Sequence, residues 1–204
     1  SAASDVYKRQ GQYSPTSEVG KVTKSTPMGS IDQPFNPISV ALGAEATFVA
    51  RTHDMDRSHM QEIFRRAHDH QGSAIVEVFQ NCNVFNDGAF NAITKKDARD
   101  AMLINLRHGE PVRFGVDGER GVMIVDGAAK IVDVAEVGID ALHVHDETAP
   151  DPSVAFAISR LASDRESPTP VGVFRSVQRR EYGDSVSSQI AAAQDTKGSG
   201  DLHG

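Results

Sequence analysis

The chain has 204 residues, enough for one large domain or two small ones with real cores. Its formal charge is -7, from Lys+Arg 21 against Asp+Glu 28, which argues against a nucleic-acid backbone as the main partner. No window approaches about 18 apolar residues, so no membrane-spanning helix is expected. There is no secretory-type apolar core at the N-terminus, and the single cysteine excludes an internal disulfide framework and fits a reducing cytoplasm.

Residues 1–10, SAASDVYKRQ, resemble a translated adapter sequence and are expected to be a non-native, disordered tail. Residues 11–37 form a long polar stretch rich in Gly, Pro, Ser and Thr, of the kind that is either functional or disordered. Within it, the small hydroxyl residues of GQYSPTS can line an anion, while an ordinary surface loop is the plainer reading. PISVALGAEATFVART then predicts a short helix opened by Pro37 and closed by Gly43, followed by a strand in ATFVAR.

The strongest helical pattern is DRSHMQEIFRRAHDHQG. Met60, Ile63, Phe64 and Ala67 make one apolar stripe, Ser58 and Gln61 fit a capping box, and Gly72 suits a C-terminal cap. SAIVEVFQ predicts a strand. Strand, helix and strand in succession predict a βαβ unit with parallel strands. Such sheets place ligands beyond the carboxyl ends of their strands, and Cys82 lies just beyond one.

Farther on, TKKDARDAMLINLRHGEP predicts a helix capped by Thr94, and Asp117-Gly118 and Asp126-Gly127 predict hairpin turns. DPSVAFAISRLAS predicts a helix with Val154, Ala157, Ile158 and Leu161 on one face. TPVGVFRSV predicts a strand and DSVSSQIAAAQ a last, weak helix.

Three groups of side chains invite a chemical reading. By composition alone, Cys82 is a small buried hydrophobe. A zinc or iron–sulfur site needs about four ligands, of which this chain holds one thiolate. His143 and His145 share a face of an extended segment beside Asp146 and Glu147. Two histidines and a carboxylate can hold zinc or iron, but a solvated polar turn is the favoured reading. His68 and His70 sit at a helix C-terminus and read as structural.

Taken together and in order, GQYSPTS, PFNPISVALGAEATFVAR, NCNVFNDGAF and LHVHDE…DPSVAFAISRL…TPVGVFRSV resemble the β subunit of 2-oxoacid:ferredoxin oxidoreductases. The resemblance is nearest to actinobacterial 2-oxoglutarate-specific forms and covers residues 11 to about 200. It implies an α/β fold: the C-terminal part of a thiamine diphosphate-binding fold, a parallel sheet with flanking helices, over 11–80. A small α+β C-terminal region with a β-hairpin would occupy 81–200. It also implies oxidative decarboxylation of a 2-oxoacid, with electrons passing through a [4Fe–4S] cluster to ferredoxin and the acyl group to coenzyme A. An α subunit would complete a heterodimer, and neither a nucleic acid nor a membrane is an expected partner.

Carried over by motif, Cys82 is the fourth cluster ligand, and Gly11 and Gln12 end the loop that binds thiamine diphosphate. The family's Gly-Asp-Gly motif and following Asn, which hold Mg²⁺ and diphosphate, have no counterpart at the right place, and Gln10 stands where Lys is usual. The chain is therefore expected to be an N-terminally truncated fragment that is inactive alone. No catalytic residue can be named. A non-oxidative thiamine-dependent decarboxylase or synthase is one alternative. The other is a non-catalytic scaffold or metal-binding fragment using His143 and His145.

Overall fold

The computed structural model describes residues 12–84, 86–162 and 167–200. The adapter-like tail, Gly11 and Gln10 lie outside them. The βαβ unit predicted from the sequence is present. Helix α1 (Pro37–Gly43) leads into strand β1 (Phe48–His53), then helix α2 (Arg57–Asp69) and strand β2 (Ala74–Phe79). Asn36 caps α1 by accepting from the Ser39 N–H at 3.1 Å, and Pro37 follows at the first turn, where its missing N–H costs nothing. β1 and β2 pair in parallel, from Phe48 opposite Ala74 to His53 opposite Phe79.

The polarity of α2 departs from expectation at both ends. Asp56, not a Ser58–Gln61 box, is the N-cap. Its carboxylate accepts from the His59 N–H at 3.0 Å and from Ser58 Oγ at 2.8 Å. An ionised carboxylate at this end also complements the helix dipole. The helix ends at Asp69 with His70 as C-cap. Gly72, at φ +129°, answers a different need: a Cβ there would stand 2.3 Å from Thr47 Oγ1. Of the predicted stripe, Ile63 is fully buried, whereas Phe64 remains 47% exposed. The helix lies over two strands near the sheet edge, so one row of side chains suffices to cover them.

The stretch expected as one helix from Thr94 divides in two. Helix α3 (Asn91–Thr94) and helix α4 (Lys96–Met102) are followed by strand β3 (Leu103–Leu106). Thr94 caps nothing; its hydroxyl donates back to the Phe90 carbonyl at 2.9 Å. Leu103, Ile104 and Leu106 leave the helical pattern because they are buried in a ladder with β7 (Thr169–Ser176). A short apolar run fits either state, and tertiary pairing decides it.

The four strands run in the order β2-β1-β7-β3. β7 is antiparallel to β1 and parallel to β3, so the sheet is mixed. β3 and β7, from the 81–200 stretch, thus share one sheet with β1 and β2. Beside it lies a three-stranded antiparallel sheet of β4 (Arg113–Phe114), β5 (Arg120–Val125) and β6 (Ala128–Asp133). The β5–β6 turn holds Asp126 at φ 51° and Gly127 at φ 78°, two positive values that match the twist of a tight hairpin. A short helix α5 (Val134–Val137) and a 3-10 turn (Ile139–Ala141) lead on to helix α6 (Ser153–Ser159). The last helix, α7 (Tyr182–Lys197), is longer than predicted and buries none of its residues.

Two apolar layers sandwich the four-stranded sheet. On one face, Val49, Ile104 and Phe174 pack with Ile38, Leu42, Ile158, Val112 and Val122. On the other, Phe48, Ala50 and Val173 pack with Ile63. Alternate residues of β1 therefore serve opposite layers, as strand geometry requires. Buried through the sheet runs Arg51, 2% exposed. Its Nε donates to Glu77 Oε2 at 2.7 Å and its Nη1 to the Pro170 carbonyl at 3.2 Å. The guanidinium also lies over the rings of Phe79 and Phe174, 5.0 and 5.5 Å from their centroids.

Among the described residues no helix is long and apolar enough to cross a membrane.

Two stability outcomes follow from these contacts. Arg51→Met leaves the half-buried Glu77 carboxylate without its partner and lowers unfolding free energy by about 3 kcal/mol, measured by urea denaturation. Asp56→Ala costs about 1 kcal/mol at neutral pH. The hydrogen bond from the His59 backbone holds the Asp56 carboxyl below its usual range. Folding therefore favours the ionised form, and its contribution is full above the ordinary aspartate range. It is lost as pH falls through the depressed folded value, so the wild-type and Asp56→Ala melting curves converge in acid.

Candidate functional site

The carboxyl end of β2 opens into the loop that carries Cys82, and the ends of both parallel strands shape it. The Asp54 N–H, just past β1, donates to the Phe79 carbonyl at 3.0 Å. In return, Asp54 Oδ2 accepts from the Asn81 N–H at 3.0 Å. The Asn81 side chain then spans the loop. Its Nδ2 donates to Asp87 Oδ1 at 2.8 Å and its Oδ1 accepts from the Gly88 N–H at 3.0 Å. Gly88, at φ +75°, turns the chain where a Cβ would stand 2.7 Å from Asn91 Nδ2. Between these anchors the Asn86 N–H donates to the Cys82 carbonyl at 2.8 Å. Below them, Phe79 and Phe90 stack with centroids 4.7 Å apart and close the base of the loop.

Cys82 itself is exposed. The composition-based reading of a buried filler is therefore overturned, and Cys82 lies just past the end of β2. The loop is tied at both ends and leaves Cys82 exposed between them. Its donor type suits an iron–sulfur cluster, as one of about four thiolates. Among the described residues no group of three or more His, Cys, Asp or Glu side chains could hold a metal ion.

The polar segment 12–36 folds back beside this loop. Ser30, buried, donates from Oγ to the Glu18 carbonyl at 2.6 Å and accepts from the Lys21 N–H at 3.1 Å. Gly29 packs its α-carbon region against the Gly20 backbone, where a Cβ would meet the Gly20 carbonyl oxygen at 3.0 Å. Lys21 Nζ reaches Asn86 Oδ1 at 2.6 Å and joins the segment to the Cys82 loop. Gly11 falls outside the described residues, and Gln12 is exposed at the segment's start. The hydroxyls that follow serve one another: Ser14 Oγ bonds Thr16 Oγ1 at 2.8 Å, and Ser17 Oγ accepts from the Ser14 N–H at 2.9 Å. The described part of this motif is a turn bonded within itself.

The histidines divide by burial. His145, 2% exposed, donates from Nε2 to the Val173 carbonyl at 2.7 Å. Backbone bonds from His145 to Glu110 and from Val112 to His143 knit the same segment into the β4–β5 region. Burial pushes both imidazoles below their usual pKa. His145 thus holds the second sheet against β7, which disfavours the metal-binding alternative. His70 caps α2 and bonds Thr47 Oγ1 at 2.8 Å, and burial lowers its pKa as well.

His53 ends β1 at 3% exposure, and its Nδ1 has no hydrogen-bond partner. Burial lowers its pKa, against the opposing charges of Asp56 and Asp54. Nearby, an open cleft of about 800 Å³ is lined by His59, Arg99, Asn105, Arg107 and Arg113 together with acidic neighbours. Its charges are mixed, and it selects no particular ligand.

Sequence reasoning found Cys82 but not Lys21, Asp54, Asn81 or Asn86. The amide residues flanking the cysteine were the available signal. Their partners lie 27 and 65 residues away and are visible only in the fold.

No protein-family model matches the chain. It is 50% identical over 191 residues to the 2-oxoglutarate oxidoreductase subunit KorB of Mycobacterium tuberculosis, covering 94% of this chain and 51% of that protein. The chain is a homologue of 2-oxoacid:ferredoxin oxidoreductase β subunits. A β subunit of 2-oxoacid:ferredoxin oxidoreductase from Saccharolobus solfataricus is 42% identical over 78 residues, 38% of this chain and 26% of that one. A solved 2-oxoglutarate:ferredoxin oxidoreductase from Magnetococcus marinus shares the fold. It has a TM-score of 0.58 at 20% identity, covering 93% of this chain and 48% of that chain. The chain spans about half the length of its Mycobacterium tuberculosis relative.

The anchoring of the loop has a measurable consequence. Asn81→Ala removes both side-chain bonds across it, and amide hydrogen exchange over residues 82–88 becomes faster while exchange in β1 is unchanged.

Proposed function

We propose that this chain is part of a β subunit of a 2-oxoacid:ferredoxin oxidoreductase, acting on 2-oxoglutarate, in which Cys82 is one ligand of a [4Fe–4S] cluster. The observation that carries the reading is the 50% identity to the Mycobacterium tuberculosis subunit, which runs through nearly the whole chain. The exposed thiol on an anchored loop at the end of a parallel strand supports the assignment of Cys82.

The activity in question decarboxylates a 2-oxoacid oxidatively, forms an acyl-CoA and passes the electrons to ferredoxin. Bound thiamine diphosphate with Mg²⁺ supplies the carbanion chemistry, and the cluster supplies the one-electron carrier. The described residues of this chain play a supporting part. Asp54 and Asn81 hold the Cys82 loop at fixed height above the sheet. Arg51 and the Phe79–Phe90 stack keep the strand beneath it in register. Gly11 and Gln12 are assigned to the end of the cofactor loop by motif alone, and no step is derived through them. An α subunit would supply further contacts to the cofactor, and the enzyme would work in the cytoplasm.

The test is a substitution in the enzyme assembled with its α subunit. Cys82→Ser abolishes the cluster signal in electron paramagnetic resonance and the 2-oxoglutarate-dependent reduction of ferredoxin. Decarboxylation at wild-type rate with no cluster in either protein would instead favour the non-oxidative thiamine enzyme. The 204-residue chain alone, with its single cysteine, gives no stoichiometric [4Fe–4S] absorbance on reconstitution. Stoichiometric cluster on it would overturn the reading that the other ligands lie outside this chain.

A further inference from the structure

Strand β2 has the sequence of an interior strand and the position of an edge strand. It ends the order β2-β1-β7-β3. Yet AIVEVF is a near-continuous apolar run, of the kind parallel strands show when they are buried on both faces. Its one charge, Glu77, accepts from Arg51 Nε at 2.7 Å and does not guard the open flank. Edge strands are ordinarily protected by a charge, a proline, a bulge or a cover. β2 contains no proline and pairs with β1 without a break in register from Ala74 to Phe79.

The ladder shows which peptide groups are left over. The Phe48 N–H donates to the Ser73 carbonyl at 2.9 Å, and the Asp54 N–H to the Phe79 carbonyl at 3.0 Å. Along a paired strand these groups alternate in direction, so Ser73, Ile75, Glu77 and Phe79 turn theirs to β1. Ala74, Val76 and Val78 turn theirs to the other side, where no strand stands among the described residues. Apolar surface is left over as well. Val49 is fully buried, while Ile75, its register partner on the same face, is 41% exposed.

We propose that in the full-length subunit the open edge of β2 is closed by a parallel strand of the same polypeptide, lying upstream of residue 12. This rests on the family reading above. The chain spans 51% of its Mycobacterium tuberculosis relative, which leaves enough polypeptide to supply a strand. Direction and source follow from segment 12–36. Lys21 Nζ donates to Asn86 Oδ1 at 2.6 Å, so this segment stands at the carboxyl end of β2. A strand that runs into it finishes at that same end and is therefore parallel to β2. It has to be apolar on both faces, because Ile75 lies on the Val49 side of the sheet and Val76 on the Ile63 side. A second copy of the chain meeting this edge across a two-fold axis would run antiparallel instead.

The experiment is hydrogen exchange resolved to single amides in the full-length β subunit assembled with its α subunit. Ala74, Val76 and Val78 exchange as slowly as Ile75, Glu77 and Phe79. Alternating fast and slow amides along β2 are the mark of an open edge and overturn the proposal. The source of the strand is read by photocrosslinking from Ile75→benzoylphenylalanine in the same assembly. The expected product has the mass of one β subunit and joins position 75 to a peptide upstream of residue 12. A crosslink to the α subunit or to a second β subunit overturns the proposal. Neither readout depends on turnover. An assembled enzyme that reduces ferredoxin with 2-oxoglutarate but shows alternating exchange in β2 overturns this proposal and leaves the family reading intact. A wild-type assembly with no such activity overturns that reading, whatever the exchange of β2.

Discussion

A guanidinium in the middle of an apolar sheet has to satisfy its donors and its charge at once, and Arg51 does so by holding three strands together. It belongs to β1, neutralises Glu77 on β2 and donates to the Pro170 carbonyl on β7. Phe79 and Phe174 cover it with their ring faces. A buried ion pair is weak evidence for net stability compared with an apolar substitute. Its value here is geometric. A change in the register of β2 against β1 would strand two charges in a low-dielectric interior, so the pairing of Phe48–His53 with Ala74–Phe79 is strongly specified.

The site inherits that register. Phe79 is at once a lid on Arg51 and one half of the stack with Phe90, so the sheet interior and the base of the Cys82 loop share one side chain. Above it, Asp54 from the end of β1 receives the Asn81 N–H from the end of β2. This is the general property of parallel strands at work: adjacent carboxyl ends lie side by side, and the loops leaving them can be tied to one another. The thiol is then carried on a rigid base while remaining open to solvent.

Part of this was legible in the chain. The βαβ unit followed from apolar periodicity, and the hairpin from Asp126-Gly127, because these depend on contacts close in sequence. The helix cap was misread for a local reason: the helix begins two residues earlier, where Asp56 accepts from the His59 N–H, and Ser58 donates to that same carboxylate. β3 was misread for a tertiary one. Leu103–Leu106 becomes a strand only because β7 offers it a ladder, and β7 arrives more than sixty residues later. His143 and His145 read as a solvated polar turn, but His145 is buried, with its Nε2–H donating to the Val173 carbonyl. Of the site itself, Cys82 was visible through its position and motif, whereas the residues that hold it were not.

By itself the sequence determined the local elements, the α/β character and the place of Cys82 just past a strand, since periodicity, turn residues and short spacings are properties of neighbouring positions. The tertiary structure alone decided that the sheet is mixed, that Arg51 locks its register, and that Lys21 and Asp54 both bond to the Cys82 loop. Those contacts join residues from 26 to 119 positions apart, and nothing in a linear pattern distinguishes which of many distant partners will satisfy a buried charge or an unpaired amide.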